Sequence, residues 1–472
     1  MNKTKIVCTL GPATSKKETL KCMMQKGMNV VRFNLSHLDR EECRETIKVI
    51  HELEKELNTT IGILFDTKGP EIRLGDFVEP EIYLKKNSNV RIMMNEILGN
   101  DRYFSVNYPG LIDDVEVGDT ILLNDGMVNL TVTGKELDAI NCVVNNDGMI
   151  MKNKGVNVPN VKLNLPFLND RDVDDIKFAS EMNGDFLAAS FVSCADDVLD
   201  ISDLLISLNN DHMKIISKIE NKNGLNEIEN IISVSDGIMV ARGDLGVEIP
   251  LEEVPVAQKK IINLCHNQGK ISIVATEMLS SMERNSRPTR AEVSDVANAV
   301  LDGTAAVMLS GETAVGDYPV QVVDTMRKIV EATEAKSNYN DYLSQEIKEE
   351  NKNITDGIAF SVVSNANLLN TKLIIASTMS GYTARKISRL RPVCPILATS
   401  PNDKTVRSLT LNWGVYPVLT KEVHSLDEMI QTGISLAKEK FPLKRRDVVI
   451  VSAGFPLNTE KKTNFLKVEE ID

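Results

Sequence analysis

Along this chain a short apolar run is followed by an amphipathic helical pattern again and again, in two blocks on either side of residues 70–166. The first block reads strand Lys5–Leu10, helix Lys16–Lys26, strand Val30–Leu35, then a helix, then strand Ile61–Phe65. That second helix carries Cys43, Ile47, Ile50, Leu53 and Leu57, a three-or-four spacing that puts them on one face. The second block supplies strands Phe186–Phe191, Lys214–Ile219, Gly237–Ala241, Ile271–Ala275 and Ala305–Leu309. Between and after them lie helical patterns at Arg171–Met182, Asp197–Leu208, Leu225–Val234, Val254–His266, Asp295–Leu301 and Val320–Ala335. Strand–helix–strand units of this kind make parallel strands with right-handed crossovers. Three strands plus five make eight, which predicts an α/β fold closed as a (β/α)8 TIM barrel. An open doubly wound sheet is the rival with the same alternation.

Between Pro70 and Pro166 the pattern changes to short strand-like runs such as Asn89–Met94 and Thr120–Leu123, broken by turn signals at Asn124-Asp125-Gly126 and Asn146-Asp147-Gly148. This predicts an inserted small antiparallel β domain, a β-barrel lid on the host. The polar stretch Glu346–Thr355 reads as a connector. Beyond it, strands Leu373–Ala376, Ile396–Thr399, Val415–Leu419 and Val448–Val451 alternate with helical segments. The expected domains are therefore 1–69 (barrel, first part), 70–166 (inserted lid), 167–340 (barrel, second part) and 341–472 (C-terminal α/β domain).

Composition narrows the function. The 472 residues are 42% hydrophobic and 26% charged, ordinary for a globular chain. A net charge of −13 argues against a dedicated nucleic-acid binder. The seven cysteines form no CxxC pair and there is no HExxH, so neither a zinc site nor a disulfide framework is indicated. No apolar run approaches the ~18 residues of a membrane span, and the N-terminal apolar stretch is shorter than a signal peptide's. The expectation is a cytoplasmic protein that binds neither nucleic acid nor membrane.

In such barrels reactive groups sit at the C-terminal strand ends. The second strand ends in Arg32-Phe33-Asn34-Leu35-Ser36-His37, and the third in Asp66-Thr67-Lys68-Gly69-Pro70-Glu71-Ile72-Arg73. Later ends are Ser217-Lys218-Ile219-Glu220, Arg242-Gly243-Asp244, Thr276-Glu277 and Ser310-Gly311-Glu312. Strand alternation sends Lys218 and Glu220 to one side, and likewise Arg32, Asn34 and Ser36. Glu220 and Asp244 offer hard oxygens that suit Mg²⁺ (or Mn²⁺) together with substrate oxygens. Asn34, Ser36, Asp66 and Thr67 carry one formal charge among them, which suits a monovalent cation. Surface ion pairing or turn chemistry would account for any one of these taken alone. Lys152 and Lys154 are either solvated loop charges or phosphate contacts. No GxxxxGK[ST], GxGxxG or GxSxG motif occurs, so nucleotide would have to be held by cations and metal.

Several long runs then resemble the pyruvate kinase family: Thr4–Pro12, Asp66–Arg73, Ile216–Asn221, Asp236–Gly246 and Arg287–Glu312. The resemblance extends over essentially the whole chain. It implies phosphoryl transfer from phosphoenolpyruvate to ADP, giving pyruvate and ATP in the last step of glycolysis. It implies Arg32, Lys218, Gly243, Asp244 and Thr276 at the substrate, with Arg32, Lys218 and Thr276 catalytic. Glu220 and Asp244 would hold Mg²⁺; Asn34, Ser36, Asp66 and Thr67 would hold K⁺, with Glu71 the acidic form of its motif that accompanies K⁺ dependence. Asn34, Arg73 and Lys154 would serve the nucleotide. Thr378, Ser380 and Thr383 resemble a loop for the phosphate of an allosteric effector, with Lys461 and Lys462 facing it, and a homotetramer is implied. The bacterial type without an additional phosphohistidine-type domain is expected. Two departures stand out: Glu277 where the family commonly has glutamine, and Leu38 where glycine is usual. A Mg²⁺-dependent enolate-forming aldolase or lyase, or a catalytically silent metabolite sensor, are the alternatives.

Overall fold

The computed structural model describes residues 2–36, 38–339, 342–343, 353–457 and 462–472. His37, Lys461, most of the expected connector and the boundary at 340/341 lie outside the described residues. Eight parallel strands close into a barrel, which rules out the open sheet: Lys5–Thr9, Val30–Asn34, Gly62–Asp66, Phe186–Ala189, Lys214–Ile219, Gly237–Ala241, Ile271–Ala275 and Ala306–Leu309. The last pairs with the first through Lys5↔Ala306 to Cys8↔Leu309. Every strand residue from Ile6 to Cys8 is buried because the two faces meet two cores. Val7, Val30, Leu64, Ala188, Ile216, Met239 and Ile273 fill the interior. Their neighbours Ile6, Cys8, Val31, Ile63, Phe65, Leu187 and Val240 pack outward against the helices.

Those helices start where local chemistry supports them. Asp39 caps Arg40–Leu57 by accepting from the N–H groups of Glu41 and Glu42. Thr289 and Glu292 form a reciprocal capping box ahead of Arg290–Leu301. The expected helix Leu225–Val234 is instead two, Lys222–Asn226 and Ile228–Val234. Directly after the sixth barrel strand, Arg242–Glu248 forms a further short helix that apolar periodicity did not signal.

The inserted residues form a seven-stranded sheet and a two-stranded ribbon around their own apolar core. One pair in this largely antiparallel set, Asn89–Met93 with Tyr103–Ser105, is parallel because the connection crosses over rather than turning back. The C-terminal domain is a five-stranded sheet. Its edge strand Thr463–Glu470 runs antiparallel to Val448–Gly454 and has no counterpart in the sequence reading, since its burial is irregular. Leu411 and Trp413 of this domain plug the N-terminal end of the barrel interior.

Candidate functional site

The inward-facing series on the barrel strands does not stop at the apolar layers. Beyond Val30 comes Arg32, beyond Leu64 Asp66, beyond Ala188 Ser190 and beyond Ile216 Lys218. A period of two therefore places a guanidinium, a carboxylate, a hydroxyl and an ammonium at one mouth. Lys218 Nζ donates to Ser190 Oγ at 2.7 Å and pairs with Glu220 Oε1 at 2.9 Å and Asp66 Oδ1 at 3.2 Å. Arg32 Nε donates to Asp66 Oδ2 at 2.7 Å, and its Nη1 donates to Thr9 Oγ1 at 3.0 Å. Asp66, Glu220 and Ser190 are buried.

These charges set one another's protonation. Burial opposes the ammonium of Lys218, but the Asp66 and Glu220 carboxylates outweigh it and raise its pKa. Burial also opposes charge on Asp66, yet Arg32 and Lys218 hold it below the usual carboxylate range. Glu220 is pushed up by burial, with Lys218 opposing and Asp244 adding to the rise; Asp244 is likewise raised by burial. A buried pair of interacting carboxylates with one shared ammonium has negative charge to spare, so the donors fit a divalent cation. Among the described residues no group of three or more His, Cys, Asp or Glu side chains is placed to hold a metal. A cation on Glu220 and Asp244 would thus leave its other positions to substrate and water, as Mg²⁺ commonly does.

Thr276 closes the far side. Its Oγ1 accepts from the Gly243 N–H at 2.8 Å and donates to the Ala275 carbonyl at 2.6 Å. Asn34 and Asp66 are register partners on adjacent strands. Asn34 Oδ1 accepts from the Ser36 N–H at 3.1 Å, and Thr67 Oγ1 accepts from the Ser190 N–H at 3.2 Å. Asn34, Ser36 and Thr67 are neutral and Asp66 carries the one charge, a donor set whose chemistry suits a monovalent cation.

The lid supplies a second set of cations. Strands Ile72–Arg73 and Gly155–Asn157 pair, with Gly155 opposite Arg73, and the Leu74 N–H donates to the Lys154 carbonyl at 2.9 Å. Arg73 and Lys154 are thereby neighbours. Arg73 donates through Nε and Nη2 to Glu71 Oε2, while Lys154 Nζ lies 3.8 Å from Asp125 Oδ2. Glu71 and Asp125 are near enough to add to the rise of Asp244. Asn157 Nδ2 donates to Glu248 Oε1 at 2.8 Å, tying lid to barrel. In the C-terminal domain, Thr378, Ser380, Thr383 and Lys462 line a cavity of ≈ 290 Å³. Gly381 there has φ +80°, and helix Tyr382–Arg389 follows it.

A family model described as the barrel domain of pyruvate kinase matches residues 1–323, and one described as its alpha/beta domain matches residues 356–469. A pyruvate kinase of Geobacillus stearothermophilus is 48% identical over 471 residues, 99% of this chain and 80% of that protein. That of Sporosarcina psychrophila is 45% identical over 473 residues, covering 100% of this chain and 81% of the relative. That of Clostridium acetobutylicum is 43% identical, with both chains covered in full. The chain belongs to the pyruvate kinase family. It is an enzyme, a phosphotransferase, and neither an aldolase-type barrel nor a silent sensor is favoured. Pyruvate kinases in general need Mg²⁺ and K⁺.

For a pyruvate kinase the sequence reading left three groups at the mouth unnamed. Ser190 receives the Lys218 ammonium and donates to the Thr67 carbonyl at 2.7 Å. The Phe191 N–H donates to Glu220 Oε2 at 2.6 Å, and Thr9 receives Arg32. The parity of Phe186, Ala188 and Ser190 on the fourth strand was the available signal. Glu312 is buried, with Oε1 accepting from the Leu279 N–H and Oε2 from the Ser310 N–H, while among the described residues Ser310 Oγ has no partner. Glu277 is exposed, its carbonyl accepting from Arg242 Nη2 at 3.1 Å; Leu38 packs partly against the barrel core.

Proposed function

We propose that phosphoenolpyruvate and ADP react in the mouth lined by Arg32, Asp66, Lys218, Glu220, Asp244 and Thr276. The observation that carries this assignment is Lys218 Nζ, held between Asp66 and Glu220 with Asp244 beside them. Phosphoryl transfer needs positioning and charge neutralisation more than covalent help from the protein. Lys218 is the one ammonium in this buried set and can turn from its carboxylates to the three oxygens of the migrating group. Arg32, steadied by Asp66 and Thr9, presents its remaining donors to the same phosphoryl group.

Glu220 and Asp244 would hold Mg²⁺, which when bound neutralises charge on the substrate's oxygens. Asn34, Ser36, Asp66 and Thr67 would hold K⁺, which adds positive charge beside the phosphoryl group. Gly243 and Asp244 border the carboxylate end of the substrate. Thr276 lies where the enolate must gain its proton, but a hydroxyl is a poor acid; Thr276 therefore serves to position the donor. Arg73 and Lys154, with Asn34, meet the nucleotide phosphates from the lid side. Thr378, Ser380, Thr383 and Lys462 receive the phosphate of an allosteric effector. A homotetramer in the cytoplasm completes the reading; free thiols at all seven cysteines support the location, and among the described residues no helix is long and apolar enough to cross a membrane.

The test is a coupled lactate dehydrogenase assay with phosphoenolpyruvate, ADP, Mg²⁺ and K⁺. Pyruvate release is expected, and its absence would defeat the assignment. Titrating a sugar bisphosphate, a sugar monophosphate and AMP against the substrate saturation curve identifies the effector. No shift with any phosphorylated ligand would remove the effector role from Thr378, Ser380 and Thr383.

A further inference from the structure

Where the barrel meets the C-terminal domain, a cavity of about 20 Å³ is lined by His266 and Lys270 on one side and by Arg385, Arg389, Arg391 and Trp413 on the other. Among the described residues lining it none is acidic. Arg391 is only 5% exposed. Its guanidinium lies over the Trp413 ring, 4.5 Å from the centroid, and Nη2 donates to the Gly303 carbonyl at 2.6 Å. Stacking explains how so polar a group packs here. It does not satisfy the group: among the described residues Nε and Nη1 are buried with no hydrogen-bond partner. A buried charge without its counterion is costly, and an unpaired buried donor adds to that.

The surroundings deepen the imbalance. Burial lowers the Arg391 pKa to about 10, with Tyr342, Tyr339 and Glu334 opposing. Arg385 is likewise lowered by burial, with Asp236 opposing. Burial, reinforced by Arg391 and Arg389, keeps His266 neutral. Lys270 donates to the carbonyls of Ser235, at 2.6 Å, and Ser233, at 3.4 Å, and burial lowers its pKa although the Asp236 charge opposes.

We propose that this cavity binds a small monovalent anion of halide size, held by Arg391 Nε and Nη1, which supplies the missing negative charge at the joint between the two domains. Size sets the class, because so small a space admits one atom-sized occupant and excludes a phosphate or sugar phosphate. A bridging water would also fit, since among the described residues Asn412 Oδ1 in the same lining has no partner. Water neutralises nothing, however, and the Asn412 amide turned about its terminal bond presents its NH₂ to an anion instead. The site is separate from the ≈ 290 Å³ effector cavity and does not depend on the roles assigned there.

Crystals grown with bromide in place of chloride should show an anomalous peak beside Arg391 Nε; density for water alone, without anomalous signal, overturns the proposal. In solution, replacing gluconate by bromide at constant ionic strength should raise the unfolding midpoint of the full chain by a few degrees, saturably. A midpoint indifferent to the anion overturns it. Arg391→Met should abolish that response. Should this variant not fold, Lys270→Gln, which removes a rim charge, should raise the half-saturating bromide concentration several-fold, and an unchanged value counts against the site.

Discussion

Thr276 and Phe191 both hold positive φ, +65° and +57°, which a β-branched or bulky side chain adopts only when its surroundings insist. Each such residue costs about 1–3 kcal/mol. Both stand just past the C-terminal end of a barrel strand, and both place a polar group in the mouth: the Phe191 N–H against Glu220, the Thr276 hydroxyl against Gly243. Strain is thus spent where positions matter. At this scale the decisive residue is Lys218. Lys218→Met removes the one ammonium among Asp66, Glu220 and Asp244, so turnover should fall by on the order of 10²–10³ or more. The circular dichroism spectrum should be unchanged, and near-wild-type turnover would contradict the assigned role. Parity along the strand made Lys218, Glu220 and Arg32 legible beforehand. Which of Lys218's partners it touches was not, because Ser190 and Asp66 arrive from strands far away in the chain.

At the scale of elements, what reaches the mouth is the entry to the inserted domain. Gly69, just before it, has φ +72°, and an added Cβ would stand 2.9 Å from Ser190 Cβ. Its N–H donates to Asp172 Oδ1 at 3.0 Å, a buried carboxylate in the first turn of the following barrel helix. Gly69→Ala should therefore destabilise by about 1 kcal/mol or more and push Ser190 off Lys218. Steady-state kinetics should show kcat reduced by on the order of ten-fold or more; an unchanged kcat would disconnect the lid entry from the mouth. The second and third strands carry another test. Replacing K⁺ by tetramethylammonium should depress activity, and an undiminished rate would detach Asn34, Ser36, Asp66 and Thr67 from cation binding. Elements buried on both faces, such as Lys214–Ile219 and Gly237–Ala241, were readable as apolar runs. Thr463–Glu470 was not, since an exposed edge strand owes its form to the neighbour it pairs with.

Across the whole molecule, the C-terminal domain is fastened to the barrel by Arg407. Its Nη2 donates to Glu54 Oε2 at 2.8 Å and its Nη1 to the Ile61 carbonyl at 3.2 Å, with Asp185 Oδ2 at 3.9 Å. Burial pushes Asp185 up to about 7 despite Arg407. Arg407→Ala would leave two buried carboxylates without their cation and should cost about 3–5 kcal/mol, measured by denaturant unfolding; a loss below 1 kcal/mol would show the contact to be superficial. His266, at the same joint, makes an acid test. Burial, then Arg391 and Arg389, lower its pKa to about 3 from an ordinary 6.5. The unfolded chain therefore binds the proton first as pH falls. Stability should drop between roughly pH 6.5 and 3 relative to His266→Gln, by about 2 kcal/mol at pH 5; parallel pH profiles for the two proteins would refute this. Periodicity determined the strand–helix alternation, the insertion and the inward parity of the reactive side chains, because local pattern dictates which face of a strand is buried. Closure of the eight strands into a barrel was decided by the tertiary structure. Only the closed tertiary structure decided which charges meet, that Trp413 and Arg391 seal the barrel floor, and how far each carboxylate is desolvated. Those depend on contacts between residues hundreds apart in the chain, and no local pattern encodes them.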